Sequence, residues 1–441
     1  MSTYTISGPS NLTGTVSVQG AKNSAMKHVL MPLLVSGLFT LKNMPHISSI
    51  TNLLELVSLF GPTVKWLDSN TVQIDSTSSL KLATISSELF YHTSGAVFLI
   101  PILVNHFGQC KIEFSKTRND TGGDQIGRTM DVYDQFLLQI GVTKTVTSSH
   151  WVYQSSNTNS FNVDVKDSSF GLSVMLLIAA LARHGQSRLN NITNAANFYD
   201  TLRILKLMGA KIDQDGSSLL ITGSQSLHPV EFTNMGDQHD FATYVSLALT
   251  TQSSITINGY DFDQMKLQPL VDLFDQLGIQ NHNLNNQSTS FVVPKIDIKK
   301  LQPVKIIAAD FPKFITEWQV LFSPLFAQIP GQSQIVEGWF FDRMRHWFEL
   351  AKMGAQYEYI SVPEFPEKDS APRAVNVTGI NEFVGAKVLG KDLRSTACLI
   401  IAGLSARGQT QVSDPDDHLS RGYESFITNL SSLGANISIS T

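Results

Sequence analysis

Five basic residues stand at or near the predicted starts of helices, where positive charge is locally unfavourable. They are Lys22, Arg128, Arg343, Arg394 and Arg421. The first turn of a helix carries partial positive charge, so a cation there costs a few tenths of a kcal/mol up to about 1. A bound anion reverses that sign, because free N–H groups and cationic side chains then converge on it. Each residue alone is equally explained by a side chain that bends into water, but five at comparable points of the chain favour a polyanionic substrate.

The helices that carry these cations belong to a unit that recurs six times. In each unit a helix-like pattern ends in a large apolar residue followed by glycine, at Gly61, Gly141, Gly209, Gly278, Gly354 and Gly434. Apolar spacing of three and four residues before the glycine predicts a helix with a left-handed cap, and the alternating run after it predicts a strand. A second apolar-rich helix is predicted over residues 22–36, 93–106, 170–184, 239–250, 316–328 and 393–406. The sequence therefore predicts an α/β protein built from repeated helix-strand units.

The length of the chain divides these units into two domains. At 441 residues the chain exceeds one ordinary hydrophobic core, so three units per domain are expected. The polar segment 223–236, which contains Pro229, lies between the third and fourth units and suits a hinge.

Composition restricts the class of protein further. The first residues show no basic stretch before an apolar core, and the apolar runs are far shorter than the roughly 20 residues of a membrane span, so a cytoplasmic protein without membrane contact is expected. A net charge of −5 gives no general attraction for nucleic acid. The two cysteines, Cys110 and Cys398, have no metal-ligand spacing and are expected in the core, and we expect no cofactor.

Five segments, taken in order along the chain, resemble the enolpyruvyl transferase family, and within it the UDP-N-acetylglucosamine 1-carboxyvinyltransferases. The segments are GAKNSA at 20–25, GGDQIGRTMD at 122–131, GAKVLGKDLRS at 385–395, HLSRGYE at 418–424 and LGANI at 433–437. The resemblance runs essentially from end to end and includes all six repeats. It implies two inside-out α/β domains of three repeats each. One domain would comprise residues 1–21 and 236–441, including the first strand, and the other would comprise residues 22–235 with the glycine-rich loop.

The resemblance also implies a reaction, the first committed step of peptidoglycan precursor synthesis. The 3-hydroxyl of UDP-N-acetylglucosamine attacks C2 of phosphoenolpyruvate while C3 is protonated, and phosphate then leaves. Such chemistry needs a base, an acid for C3 and a cationic cage. No metal is required, and the implied partners are these two small molecules.

Individual roles follow from the matched motifs. Lys22, Arg128 and Arg421 would hold the phosphate, and Arg343 and Arg394 would face the carboxylate. Glu317 occupies the place of the family's aspartate that accepts the proton of the attacking hydroxyl. The implied catalytic positions are Asp124, Glu317, Lys22, Arg128, Arg394 and Arg421. The implied substrate-binding positions are Lys22, Asn23, Arg128, Asp131, Ser169, Gly171, Glu317, Arg343, Arg394 and Arg421.

Asp124 stands where the family loop most often has a cysteine that the antibiotic fosfomycin alkylates. A carboxylic acid still donates a proton if its surroundings raise its pKa, but it is a poor target for an epoxide. The resemblance therefore implies a fosfomycin-insensitive enzyme. Without the surrounding motif, an aspartate in a glycine-rich turn is explained by its own backbone hydrogen bonding.

The chain departs from the family pattern mainly on the nucleotide side. Thr93, beside His92, stands where the family has an arginine, and the usual Ser-Val-Gly becomes SFG at 169–171. Asp167 replaces a lysine, which weakens attraction for a diphosphate, although Lys166 is adjacent. Three hypotheses therefore remain at this point. They are the carboxyvinyltransferase itself, an enolpyruvyl transferase with a different acceptor, and a non-catalytic paralogue that binds a UDP-sugar or a partner protein.

Overall fold

The computed structural model describes most of the chain. The described residues are 2–93, 95–113, 130–155, 157–224, 226–280, 282–286, 288–340, 342–365 and 371–440. Asp124 and Arg128 lie outside them. The contacts of the chain divide it into two compact units, one comprising Met1–Gln19 with Gly236–Thr441 and the other comprising Gly20–Met235.

The α-helices of the described residues are α1 Lys22–His28, α2 Ser48–Leu59, α3 Ser87–His92, α4 Leu99–Phe107, α5 Met130–Gln139, α6 Phe170–Leu181, α7 Ala196–Leu207, α8 Gln238–Thr250, α9 Gln268–Leu277, α10 Thr316–Phe326, α11 His346–Lys352, α12 Leu393–Ser405 and α13 Phe426–Ser432. Short 3-10 turns cover Met31–Leu33, Ala96–Phe98, Lys166–Ser168, Ile298–Lys300 and Leu419–Arg421. Among the helices described, none combines the length and the apolar character needed to cross a bilayer.

The strands of the described residues are β1 Ser2–Gly8, β2 Thr15–Ser17, β3 Leu38–Lys42, β4 Thr63–Trp66, β5 Val72–Asp75, β6 Thr84–Ile85, β7 Gln109–Glu113, β8 Thr143–Val146, β9 His150–Gln154, β10 Asn162–Asp164, β11 Gln186–Asn190, β12 Lys211–Asp215, β13 Ser218–Thr222, β14 Glu231–Thr233, β15 Thr256–Asn258, β16 Ser290–Val292, β17 Lys305–Ala309, β18 Phe314–Ile315, β19 Gln332–Glu337, β20 Gln356–Ile360, β21 Ala374–Thr378, β22 Lys387–Leu389, β23 Gly408–Asp414 and β24 Asn436–Ser440.

Each unit contains three sheets within the described residues. In the unit that includes the C-terminal half, the strand orders are β22-β23-β1-β24, β16-β15-β2 and β18-β17-β19-β21-β20. In the other unit they are β14-β3-β5-β4, β6-β7-β9-β8 and β10-β11-β13-β12. β1 pairs antiparallel with both β23 and β24, which places Ile6 opposite Thr410 on one side and Ile437 on the other. The threefold repetition within each unit agrees with the repeat predicted from the sequence.

Buried helices lie between the sheets of each unit. In the C-terminal-half unit, α8, α10 and α12 contact one another, and every residue of α8 is buried. In the other unit α4 contacts α6, and α1 contacts α2 and α7. A helix that is buried on all sides, as α8 is, lies in the core of its unit. Cys110 of β7 and Cys398 of α12 are both buried, as predicted.

The six predicted helix-ending glycines all have positive φ, between 78° and 119°. This backbone region carries a steric penalty for residues with a Cβ, so glycine is the residue that ends these helices at least cost. The predicted helix ends are therefore confirmed.

Two predicted helices are wrong in their extent. The helix predicted over 22–36 ends at His28, because Pro32 cannot donate to the carbonyl of His28 and its ring clashes with that carbonyl. The helix predicted from Thr93 begins only at Leu99, since Gly95 has a φ of 88° and a 3-10 turn follows it. Thr93 instead follows the last residue of the separate helix α3.

Candidate active site

Four of the predicted site residues belong to the C-terminal-half unit, and Glu317 and Arg343 form an ion pair there. Glu317 lies in the first turn of α10, where its negative charge complements the helix dipole. Its carboxylate Oε1 is 3.4 Å from Nη1 of Arg343, and about a quarter of each side chain is exposed. Partial burial raises the pKa of Glu317, but nearby positive charge, first of all that of Arg343, brings it down to about 2. In this state Glu317 is an ionised partner of Arg343 and a weak proton acceptor.

Arg343 is held by a chain of hydrogen bonds that ends on a buried carboxylate. Its Nη1 donates to Thr316 Oγ1 at 3.1 Å, and that hydroxyl donates to Glu337 Oε2 at 2.6 Å. The guanidinium also lies over the ring of Phe340, 4.0 Å from its centroid. These contacts restrict the orientation of the guanidinium, so Arg343 is preorganised to receive an anion.

Glu337, at the end of β19, shapes the turn that leads to Arg343. Its side chain is fully buried, and its Oε1 accepts hydrogen bonds from the backbone N–H groups of Trp339 and Phe340 at 2.8 and 2.9 Å. A buried carboxylate with several donors is costly to disturb, since removing any partner leaves a charged group unsatisfied. The sequence analysis missed Glu337, although a lone acid at the end of a strand-like apolar run was an available signal.

His346 fixes the backbone of Arg343 from the other side. The side chain is buried, and burial lowers its pKa to about 4, so the imidazole is neutral at pH 7. Its Nδ1 lies 3.1 Å from the Arg343 carbonyl and its Nε2 lies 2.7 Å from Ser323 Oγ. A neutral ring satisfies both contacts when Nδ1–H donates to the carbonyl and the Ser323 hydroxyl donates to Nε2.

Arg394 is the second residue of α12, as predicted for a cation at a helix start. Asp392 caps this helix by accepting from the backbone N–H groups of Arg394 and Ser395. The guanidinium carbon is 5.3 Å from the centre of the Tyr423 ring. Burial lowers the pKa of Arg394, but Tyr423 and the carboxylate of Asp237 outweigh burial and raise it. Arg394 therefore remains fully charged despite its position against the helix dipole.

Arg421 closes the 3-10 turn Leu419–Arg421, so its predicted position at the start of a helix is wrong. Burial lowers the pKa of its guanidinium, and the carboxylates of Asp414 and then of Asp392, the cap of α12, partly offset that effect. Asp392 at the start of α12 therefore interacts with both arginines, through the backbone N–H of Arg394 and through the charge of Arg421. The reason for the error is local, because the Gly-Tyr pair that follows Arg421 delays the next helix until Phe426.

Gln19 holds the loop that follows Arg421. Its side-chain Nε2 donates to the Gly422 carbonyl at 2.7 Å, and its Oε1 accepts from the Glu424 N–H at 2.9 Å. Its own backbone N–H donates to Asp240 Oδ2 at 3.0 Å, and burial raises the pKa of Asp240 to about 8. Sequence reasoning missed Gln19 even though it directly precedes the GAKNSA segment.

The other unit carries Lys22 and Asn23 at the start of α1. The next residue, Ser24, is buried and donates to Asn197 Oδ1 of α7 at 2.9 Å. The His28 ring at the end of α1 lies 3.6 Å from the carboxylate of Asp200 in the same helix α7. These contacts fix α1 on α7 and thereby fix the backbone of Lys22 and Asn23.

The predicted nucleotide-side residues lie at the starts of two further helices. Ser169 caps α6, with its Oγ accepting from the Leu172 N–H at 3.4 Å. Gly171 is packed so closely that an added Cβ would lie 2.3 Å from the Tyr133 hydroxyl. Asp131 is exposed in the first turn of α5. Thr93 is buried, and within the described part of the chain its hydroxyl has no partner.

Comparison with known proteins identifies the family. The sequence model of the EPSP synthase (3-phosphoshikimate 1-carboxyvinyltransferase) family matches residues 6–430. The chain belongs to this enolpyruvyl transferase family. The UDP-N-acetylglucosamine 1-carboxyvinyltransferase of Chlorobaculum parvum is 30% identical over 442 residues, covering 99% of this chain and 98% of the relative. A protein of the same name from Dichelobacter nodosus is 30% identical and covers 98% and 97%.

Solved structures of enolpyruvyl transferases share the fold. The enolpyruvyl transferase NikO from Streptomyces tendae aligns with a TM-score of 0.86 at 22% identity, over 100% of this chain and 99% of that one. An EPSP synthase from Acinetobacter baumannii aligns over the full length of both chains with a TM-score of 0.72 at 14% identity. The predicted fold class and the predicted family resemblance are both confirmed.

Proposed function

We propose that this chain transfers the enolpyruvyl group of phosphoenolpyruvate to the 3-hydroxyl of UDP-N-acetylglucosamine and releases phosphate. The observation that carries the proposal is the pairing of Glu317 with Arg343 at 3.4 Å, which brings a proton acceptor to a preorganised cation. Relatives named UDP-N-acetylglucosamine 1-carboxyvinyltransferase match the chain over nearly its whole length. In this proposal the reaction is the first committed step of peptidoglycan precursor synthesis and takes place in the cytoplasm.

The chemistry consists of an addition followed by an elimination. The acceptor oxygen forms a bond to C2 of phosphoenolpyruvate as its proton passes to a base, and C3 receives a proton from an acid. The C2–O bond to phosphate then breaks, C3 loses a proton, and the double bond is restored in the enolpyruvyl ether. Negative charge develops on the phosphate as it leaves, and the carboxylate stays ionised throughout, so fixed cations stabilise the leaving group and orient the substrate.

In this proposal the cations divide between the two anionic groups. Lys22, Arg128 and Arg421 bind the phosphate, and Arg343 and Arg394 bind the carboxylate. Asn23, Asp131, Ser169 and Gly171 contact the acceptor, and Asp124 protonates C3. No cofactor takes part in these steps.

Glu317 becomes an effective base through the exchange of its partner. While Arg343 is paired with it, the pKa of Glu317 is about 2, far below the range suited to taking a proton at neutral pH. When the carboxylate of phosphoenolpyruvate binds Arg343, the guanidinium is shared with a second anion and its pull on Glu317 weakens. The pKa of Glu317 then rises, so the base is activated as the substrate is bound.

The proposal is tested by phosphate release from phosphoenolpyruvate with UDP-N-acetylglucosamine as acceptor. Wild-type protein is expected to release phosphate only when both substrates are present, and the Asp124→Asn variant is expected to release none. Phosphate release with another nucleotide sugar, but not with UDP-N-acetylglucosamine, would assign a different acceptor. Binding of the nucleotide sugar without any release would instead identify a non-catalytic binding protein.

We further expect the wild-type enzyme to be insensitive to fosfomycin, because a carboxylate at position 124 is a poor nucleophile toward an epoxide compared with a thiolate. The Asp124→Cys variant should lose activity over time in the presence of fosfomycin and gain the mass of one inhibitor molecule. The measurement is residual phosphate release together with intact-protein mass spectrometry. Covalent labelling of wild-type protein, or no labelling of Asp124→Cys, would contradict the role of this position.

A further inference from the structure

Lys27 is a buried lysine for which the family resemblance gives no role. Its side chain, in the last turn of α1, is only 1% exposed. Lysines are almost never fully buried unless they are paired with an acid. Among the described residues, the contacts of its ammonium group are with two aromatic rings, whose centroids lie 4.3 Å away in Phe170 and 5.0 Å away in Phe98. These rings attract a cation but do not neutralise it.

The positive charge of Lys22 acts on this ammonium group. Burial, and to a lesser extent the charge of Lys22 on the same helix, together lower the pKa of Lys27 to about 7. Lys27 in turn contributes to the lowered pKa of His28, behind burial as the main cause. The two rings that contact the ammonium group, those of Phe98 and Phe170, do not titrate. The site therefore disfavours the protonated lysine in the absence of an anion.

Phe170, whose ring is the nearer of the two to the ammonium group, is the first residue of α6. This helix has twelve residues and no acidic side chain in its first turn. Ser169 Oγ accepts from the Leu172 N–H, which leaves the earlier N–H groups of the turn to other acceptors. Gly171 has no side chain to cover this end, and the Tyr133 hydroxyl lies beside it. A helix start and a buried ammonium group that pairs with no acid among the described residues together form a site for an anion.

We propose that Lys27 binds a phosphate group of the acceptor's nucleoside diphosphate at the start of α6. The inference rests on the proposed function and adds a residue to it. A diphosphate is favoured over phosphoenolpyruvate because Ser169 and Gly171, at this same helix start, are predicted on the nucleotide side. The acceptor's negative charge stabilises the ammonium form, so binding takes up a proton.

The test compares wild-type protein with Lys27→Met. Methionine has similar length and no charge, and its sulfur packs well between aromatic rings. The KM for UDP-N-acetylglucosamine should rise about 10- to 100-fold, while the KM for phosphoenolpyruvate should change less than about twofold. Calorimetry in two buffers of different ionisation heat should show wild-type protein taking up about one proton per UDP-N-acetylglucosamine at pH 8, and about a tenth of one at pH 6. Lys27→Met should take up none.

Lys206→Met is the matched control, because Lys206 is exposed on α7, and it should retain wild-type values. Thermal unfolding should show Lys27→Met to be at least as stable as wild type, since a buried charge has been removed. Equal affinity for UDP-N-acetylglucosamine with and without Lys27, or equal losses for both substrates, would overturn the proposal.

The outcomes separate this inference from the proposed reaction. Wild-type protein that binds UDP-N-acetylglucosamine with proton uptake but releases no phosphate would remove the enzyme assignment and retain the role of Lys27. Turnover that is unaffected by Lys27→Met would retain the enzyme assignment and remove the role of Lys27. Failure of wild-type protein to bind UDP-N-acetylglucosamine would overturn both.

Discussion

Glu317→Gln is expected to lower kcat by about 10²- to 10⁴-fold, the usual contribution of a positioned general base. Glutamine keeps the size of the side chain but cannot accept the proton of the attacking hydroxyl. It also releases Arg343 from its ion pair, so the KM for phosphoenolpyruvate should stay the same or fall. A loss confined to kcat is the signature of an interaction made in the transition state. Steady-state phosphate release measures both constants.

Two variants make this result interpretable. Glu317→Asp keeps the charge and shortens the side chain by one methylene, and the resulting displacement of the carboxylate should cost at most about a hundredfold. Glu358→Gln removes an exposed carboxylate from β20 and should leave kcat unchanged. If Glu317→Gln retained more than about a tenth of wild-type kcat, Glu317 would be no more than a structural partner of Arg343.

Arg394→Gln is expected to lower kcat/KM for phosphoenolpyruvate by about 10²- to 10⁴-fold. Losing one member of a buried charge pair costs about 3–5 kcal/mol, because the remaining charge is left uncompensated. Here the substrate carboxylate and Asp237 both lose the guanidinium that the structure places beside Tyr423. The pKa of Glu317 should also rise, since Arg394 contributes to its lowering. The measurement is kcat/KM at fixed, saturating acceptor.

Arg394→Lys tests whether charge alone is sufficient. Lysine keeps the charge but lacks the planar fork that binds a carboxylate through two hydrogen bonds, so it should recover only part of the lost activity. Arg407→Gln is the control, because Arg407 pairs with Glu382 on an exposed surface, where such pairs contribute little. Near-normal kcat/KM in Arg394→Gln would show that another residue binds the carboxylate.

Local sequence predicted the helix ends well because their cause is local. An apolar helix face followed by glycine ends a helix in any context that allows positive φ, and all six glycines adopt it. The two helices predicted with the wrong extent also have local causes, which the spacing of apolar residues does not reveal. Pro32 shortens the first helix, and Gly95 delays the helix that contains Leu99. Apolar spacing alone does not distinguish a continuous helix from a helix followed by a 3-10 turn, since both bury the same side chains.

The contacts that give the candidate site its chemistry could not be read from the sequence. Motif matching named Glu317, Arg343 and Arg394, but not the low pKa of Glu317 or the chain from Arg343 through Thr316 to Glu337. The burial of Lys27 could not be predicted either, because a lysine is ordinarily exposed whatever its neighbours in sequence. Its burial between two aromatic rings depends on Phe98 and Phe170, which come from distant segments of the chain.

The sequence by itself determined the repeated helix-strand unit, the glycine stops, the family and the identity of the charged residues. These properties depend on residue type and on neighbours within a few positions. Only the tertiary structure decided which charges meet and which lose contact with water. Gln19 accepts from Glu424 across 405 residues, and β1 pairs with β23 and β24 at the opposite end of the chain. Charge pairing and desolvation depend on distances in space, and folding sets those distances between residues that are far apart in sequence.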